Sequence, residues 1–189
     1  MRIAILDGRM NEGIGDLKLG DILSETLRSA VVRHFRLREM ELAPCLGCFD
    51  CWVKTPGQCI IPDKGRAVAE AAANSDVLVF VSPVTFGGYS SVLKMAVDRL
   101  IPNILPLLVS IKGETRHAAR YLDYPKLLGI GISAGNAAED ELFTRLVGRN
   151  ALNYHSPAHA AQILRQGTVS PEELTRVIRQ QMTAWGVIS

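Results

Sequence analysis

The chain has 189 residues, of which 48% are hydrophobic and 21% charged, with 21 lysines and arginines against 19 aspartates and glutamates. A formal charge of +2 offers no electrostatic case for a nucleic-acid or membrane-surface partner. The length suits one domain, residues 1–189, with a full core, and is short for two.

The elements follow in chain order. Arg2 to Leu6 reads as a first buried strand. Its apolar run stops at Asp7, too short for a secretory signal, so a cytoplasmic location is expected. Leu17 to Val32 has helical spacing through Leu19, Ile22, Leu23, Thr26, Leu27, Ala30 and Val31. Phe35 to Met40 alternates and predicts an edge strand, with His34 ending the helix before it. Asp63 to Ala73 predicts a helix capped at Pro62-Asp63. Val77 to Val81 is the clearest central strand and is far below membrane-spanning length. Tyr89 to Leu100 predicts a helix, Leu127 to Ile132 a strand, and Ala137 to Arg149 a helix. Ala158 to Leu164 predicts a fifth strand, and Pro171 to Trp185 a closing helix with proline at its start.

Alternating strands and helices predict an α/β doubly wound sheet of five parallel strands, order 2-1-3-4-5, with helices on both faces. Such sheets bind ligands outside the carboxyl ends of the strands. Three loops then matter: 7–16, 82–91 and 133–136. In Ser82-Pro83-Val84-Thr85-Phe86-Gly87-Gly88-Tyr89-Ser90-Ser91, glycines let backbone approach a flat ligand, helix-start N–H groups can donate, and Phe86 can stack. The plainer alternative is a strand-to-helix turn whose glycines serve geometry alone.

The run SPVTFGGYSSVLKMAVDR at 82–99 resembles the flavin-ring loop and following helix of NAD(P)H-dependent FMN reductases. CLGCFDCWVKTPGQCIIPD at 45–63 resembles the cysteine loop of the iron–sulfur flavoprotein branch of that flavodoxin-like family. The resemblance covers most of 1–135. It implies a flavodoxin-like fold and FMN as cofactor, with NAD(P)H or a redox protein as electron donor. It implies that Pro83, Val84, Thr85, Phe86 and Gly87 line the flavin ring, with Ser133, Ala134 and Gly135 on its other side. It assigns the FMN phosphate to the first loop, at Gly8 and Arg9. There the chain departs from the family's Gly-Ser-Pro-Arg: Asp7-Gly8-Arg9-Met10-Asn11-Glu12-Gly13-Ile14-Gly15-Asp16 has no hydroxyl residue, and Asp7, Glu12 and Asp16 oppose a dianion. A phosphate there would rely on backbone N–H groups and Arg9.

Cys45, Cys48, Cys51 and Cys59 are spaced C-x2-C-x2-C-x7-C. In a reducing compartment such a set suits metal binding or catalysis rather than structural disulfides. Four soft thiolates suit a [4Fe-4S] cluster or tetrahedral zinc. The alternative is a loop of reduced thiols or adventitious disulfides. Gly47, Pro56 and Gly57 supply tight turns, and Lys54 favours thiolates. Because the loop follows strand two, a cluster is expected beside the carboxyl edge, near the flavin. Trp52 reads as a packing residue.

None of the four histidines has an evident metal or triad partner. No GxSxG, HExxH or P-loop pattern occurs, and Gly8, Gly13 and Gly15 do not make GxGxxG. Residues 101–111, with Ile104, Leu105, Leu107, Leu108 and Val109 broken by Pro102 and Pro106, exceed a simple connector. They read as extra core or as a subunit contact walling the flavin pocket. The contact reading fits the family's habit of forming dimers or tetramers. The leading function is an FMN-dependent oxidoreductase passing electrons to an acceptor the sequence does not name, with no catalytic side chain required. The alternatives are an electron carrier or redox sensor without nicotinamide-dependent turnover, and a scaffold that has lost its flavin.

Overall fold

A computed structural model describes residues 1–9, 19–27 and 30–188. The main sheet is parallel, in the order β2-β1-β3-β6-β7. Its strands are β1 (Arg2–Asp7), β2 (Val31–Arg36), β3 (Val77–Pro83), β6 (Lys126–Ser133) and β7 (His159–Arg165). Between β3 and β6 a separate antiparallel hairpin forms from β4 (Ile104–Ile111) and β5 (Glu114–Ala119). With the hairpin set aside, the sheet has the flavodoxin-like order 2-1-3-4-5.

The helices are α1 (Leu19–Thr26), the single turn α2 (Asp50–Val53), α3 (Gly65–Ala73), α4 (Ser91–Asp98), α5 (Ala137–Asn153) and α6 (Pro171–Ala184). Strand β3 is buried along six of its seven residues, as a central parallel strand must be when helices cover both faces. One face packs Leu6, Leu78, Phe80 and Leu127 against Val68 and Ala72 of α3, Leu93 and Ala96 of α4, and Phe143 and Val147 of α5. The other packs Ile3, Ile5, Val79 and Ile130 against Leu174, Val177 and Ile178 of α6. Side-chain caps fix three helix starts. Ser90 Oγ accepts from the Leu93 N–H, Asn136 Oδ1 from the Ala138 N–H, and Ser170 Oγ from the Glu173 N–H. Among the described residues no helix is long and apolar enough to cross a membrane.

Three sequence expectations shift. The helix over 17–32 ends at Thr26, because Val31 and Val32 pair with Arg2 and Ile3 as the start of β2. The edge strand thus lies over 31–36 rather than 35–40, and His34 sits within it. Residues 104–111 form a strand that buries Ile104 in the core but has five successive exposed positions from Pro106 to Ser110, so beyond its first residues it is not extra core.

Candidate functional site: a carboxyl-edge cradle and a cysteine cavity

At the carboxyl edge, β3 runs into a four-residue turn. The Thr85 N–H donates to Gly88 O at 3.0 Å, and the Gly88 N–H donates back to Thr85 O at 2.8 Å. Both central residues are left-handed, Phe86 at φ 49° and Gly87 at φ 75°, which is a type I′ turn. Glycine adopts that conformation freely, whereas a bulky aromatic does so only under constraint. Phe86 is nevertheless 92% exposed. A strained residue with its ring in open solvent has no packing reason to be there, which marks the turn as a contact surface. Gly87 is buried under α5, and a Cβ there would lie 2.6 Å from Leu142 Cβ. Thr85 is exposed, while Pro83 and Val84 are half-buried. The Val84 N–H donates to Ile132 O at 2.9 Å, tying this loop to the next one.

That next loop begins at Ser133, which is buried. Its Oγ accepts from the Gly135 N–H at 2.9 Å and from an Arg165 guanidinium nitrogen at 3.1 Å. Ala134 and Gly135 are exposed beside it. Among the described residues the backbone N–H groups of Phe86, Gly87 and Ala134 have no protein acceptor. Two exposed loops with free N–H donors and an aromatic ring therefore fit the edge of a flat heteroaromatic cofactor. Arg165, 54% exposed in its side chain and also paired with Asp140 at 3.0 Å, adds a cation here. No sequence spacing marks it, since β7 carries it 32 residues beyond Ser133.

Loop one is reached through Gly8. Its N–H donates to Val81 O at 2.7 Å, and its carbonyl accepts from Ser90 Oγ at 2.6 Å. A Cβ on Gly8 would sit 2.7 Å from that Oγ, so the position has no room for a side chain. Arg9 is nearly buried and bonds the fully buried Asp7, its Nε at 2.9 Å from Oδ1. His34 Nε2 lies 3.1 Å from Asp7 Oδ2. Burial alone would raise the Asp7 carboxyl, but the His34 and Arg9 hydrogen bonds outweigh it and hold the pKa at about 2. The cation assigned to phosphate is thus already balanced by a carboxylate. The rest of that loop, 10–18, lies outside the described residues.

The four cysteines gather elsewhere. Cys45, Cys48, Cys51 and Cys59 line one cavity of about 460 Å³ with Trp52, Phe80, Leu127, Tyr154 and the last turns of α4 and α5. All four thiols are free. Burial raises the Cys51 thiol, and Cys59, Cys45 and Cys48 push it the same way, since neighbouring thiolates repel. A bound cation would reverse that repulsion. Gly47 (φ 64°) and Phe49 (φ 61°) are both left-handed around Cys48. The N–H groups of residues 45–49 have no protein acceptor among the described residues, so this backbone is a nest of donors suited to an anion. Among the described residues no group of three or more His, Cys, Asp or Glu side chains is drawn together around a single ion.

The cavity corrects one expectation. Helices α4 and α5 start at the carboxyl edge, at Ser90 and Asn136, and run away from it. The cysteines meet their far ends, Val97–Leu100 and Asn150–Tyr154, near the start of β6 at Leu127. The segment after β2 descends along α4, with Leu37, Met40 and Leu42 packed on the core, before the first cysteine. Cysteines and carboxyl-edge loops are therefore separated by roughly the length of α4, about 12 Å at 1.5 Å per residue. Trp52 holds the segment to the hairpin. Its Nε1 donates to Ile104 O at 2.8 Å, and its ring lies 5.2 Å from that of His117.

The sheet order and its covering helices place the fold in the flavodoxin-like class of α/β proteins. The model of the NADPH-dependent FMN reductase family matches residues 1–121, and the chain belongs to that family. It is 35% identical over 92 residues to an iron–sulfur flavoprotein of Methanocaldococcus jannaschii. That match covers 48% of this chain and 47% of the other, so it spans about half the length of that curated relative. Among solved structures, a NAD(P)H:quinone oxidoreductase from Methanothermobacter marburgensis superposes with a TM-score of 0.66 at 12% identity, covering 96% of this chain and 94% of that one. An FMN-dependent NADH-azoreductase from Bacillus anthracis, in complex with FMN, gives 0.57 at 14%, covering 95% and 94%. At these identities the likeness shows the fold.

Proposed function

We propose that the chain is an FMN-dependent oxidoreductase that draws electrons from NAD(P)H and passes them to an acceptor, with a [4Fe-4S] cluster on Cys45, Cys48, Cys51 and Cys59 as a second redox centre. The observation that carries the flavin reading is the strained, exposed Phe86 turn at the carboxyl edge of a family member. Bound FMN supplies the conversion of two-electron hydride chemistry into electron delivery. This chain's own residues bind and orient. Pro83, Val84, Thr85, Phe86 and Gly87 offer the ring one wall, and Ser133, Ala134 and Gly135 the other. Ser133 is fixed by Arg165, so the second wall is held from below. Gly8 docks the first loop against α4. Arg9, as a phosphate donor, shares its guanidinium with Asp7.

The cluster reading is supported by four cysteines on one cavity, by the donor nest around Cys48, and by the iron–sulfur flavoprotein relative. Cluster and zinc place different demands on the four thiolates. A cluster binds each thiolate through a different iron, whereas tetrahedral zinc draws all four sulfurs to within about 2.3 Å of one ion. Electrons between cavity and flavin edge would cross roughly the length of α4 within one chain, or a subunit boundary. Exposed Leu107 (65%) and Leu108 (64%) on the hairpin, with Phe49 and Val53 on the cysteine segment, supply an apolar surface for a homo-oligomer.

Stopped-flow mixing of the FMN-loaded chain with NADH or NADPH tests the reading. Bleaching of the flavin band within seconds is expected. Bleaching by dithionite or reduced ferredoxin alone would make the chain an electron carrier.

A further inference from the structure

The cysteine segment is closed by an ion pair, its cation buried and its carboxylate largely so, that the redox chemistry above does not use. Arg99, at the end of α4, is 1% exposed. Its two terminal nitrogens donate to both Asp63 carboxylate oxygens at 2.8 and 2.6 Å, and one also donates to Ala43 O at 2.7 Å. Asp63 in turn accepts from the Ala43 N–H at 2.8 Å. Ala43 stands just before the first cysteine and Asp63 just after the last, so one guanidinium ties the segment's two ends together. Gly65 makes the space: a Cβ there would lie 2.8 Å from an Arg99 nitrogen.

The pair does not exhaust Arg99. Its Nε is buried with no hydrogen-bond partner among the described residues, and Arg99 itself lines the cysteine cavity. A buried guanidinium N–H without an acceptor is costly, and native proteins rarely leave one. Burial works against the charge. The Asp63 hydrogen bond, with the Cys59 and Cys45 sulfurs, outweighs it and raises the Arg99 pKa. Four thiolates with a cluster form an anion, the acceptor such a donor lacks.

We propose that Arg99 is the positioning residue of the cysteine site: with Asp63 it closes segment 43–63 before any cluster is bound, and its Nε–H donates to the anionic sulfur group held in the cavity. The second half rests on the cluster reading; the first does not. The arrangement makes the site pre-formed, so the loop does not wait for metal to fold. It also gives the cluster one fixed N–H donor from a charge-balanced pair, and a hydrogen bond to sulfur favours the cluster's reduced, more negative state.

Two variants separate the halves. Arg99→Lys keeps the charge but loses the fork and the Nε donor. Arg99→Gln combined with Asp63→Asn removes both charges together, leaving neither buried ion unpaired. Lys94→Gln removes an exposed charge from the same helix, α4, as a control. FMN binding reports that each variant is folded. In metal-free protein, exchange of the hydrogen-bonded amides within 52–58 is expected to quicken by about tenfold or more in both Arg99 variants, the effect of losing the charged hydrogen bonds that close the segment. After anaerobic reconstitution with iron and sulfide, both should hold less iron than the native chain. The double variant, which loses the Nε–H donor with no change in net charge, should show a more negative cluster midpoint by EPR-monitored titration, and Lys94→Gln should match the native value. Native exchange overturns the closure half; native iron content and midpoint in both Arg99 variants overturn the donor half and leave the cluster reading standing. A native chain that takes up no iron ends the cluster reading and the donor half with it, while the exchange result still decides closure.

Discussion

At the carboxyl edge, the Thr85–Gly88 turn and the Ser133–Gly135 loop offer backbone N–H groups and one exposed ring. At the far ends of α4 and α5, the cavity offers side chains instead, four of them cysteines, braced by a buried Arg99–Asp63 pair. The edge site is made by strand ends that the sheet positions anyway, and its specificity lies in turn geometry. The cavity depends on an inserted segment that the sheet does not position, so it needs its own clasp. A fold of this kind can lose the second site while keeping the first, and the two should respond to mutation independently.

The sharpest break between the regions is Cys48→Ser. Iron taken up on anaerobic reconstitution should fall from about four atoms per chain to none, while FMN still binds; iron analysis and flavin absorbance read both at once. The reverse change is Gly87→Val. A β-branched side chain at φ 75°, aimed at Leu142, should cost about 3 kcal/mol by strain and overpacking and weaken FMN binding more than tenfold, with iron uptake unchanged. Denaturant melts and FMN titration check it.

Asp7→Asn probes the edge electrostatically. The folded pKa of about 2 lies below the ordinary 3.8, so Asp7 contributes stability that is present above pH 4 and lost as pH falls through 2. The gap corresponds to about 2 kcal/mol. Urea melts between pH 7 and pH 2 should show Asp7→Asn losing that much at neutrality and declining less steeply below pH 4. The smallest effect on the single chain is expected from Leu107→Asp with Leu108→Asp. Both positions are exposed, so monomer stability should move by less than about 0.5 kcal/mol, while light scattering should show a smaller assembly. A native chain already at 20.6 kDa would remove the subunit-boundary route for electrons.

Strand β3 was legible because it is buried on both faces and reads as an unbroken apolar run. Strand β2 was displaced by several residues because it is an edge strand whose burial alternates weakly, and because Ala30 and Val31 happen to continue the helical spacing of α1. The hairpin was legible as an insertion but not as strands, since Pro106 interrupts its apolar run and its exposed side chains carry no period-two signal. The cysteine set was plain from spacing, but its place was not. The segment travels down α4 before the first cysteine, and nothing local encodes that path. The clasp was invisible for the same reason: Arg99 and Asp63 are 36 residues apart, and Asp7 and His34 are 27 apart. His34 in particular reads as a helix end and proves to be the strand partner of Ile5 beside a buried carboxylate.

The central claim is that the carboxyl edge holds FMN and does so independently of the cysteine cavity. Fluorescence titration of flavin-free, metal-free chain with FMN tests it most directly. The account predicts quenching that saturates at about one FMN per chain, equal in the native protein and in Cys48→Ser and strongly weakened in Gly87→Val. A native chain that leaves FMN fluorescence unquenched, or a Cys48→Ser chain that loses FMN together with iron, would contradict it.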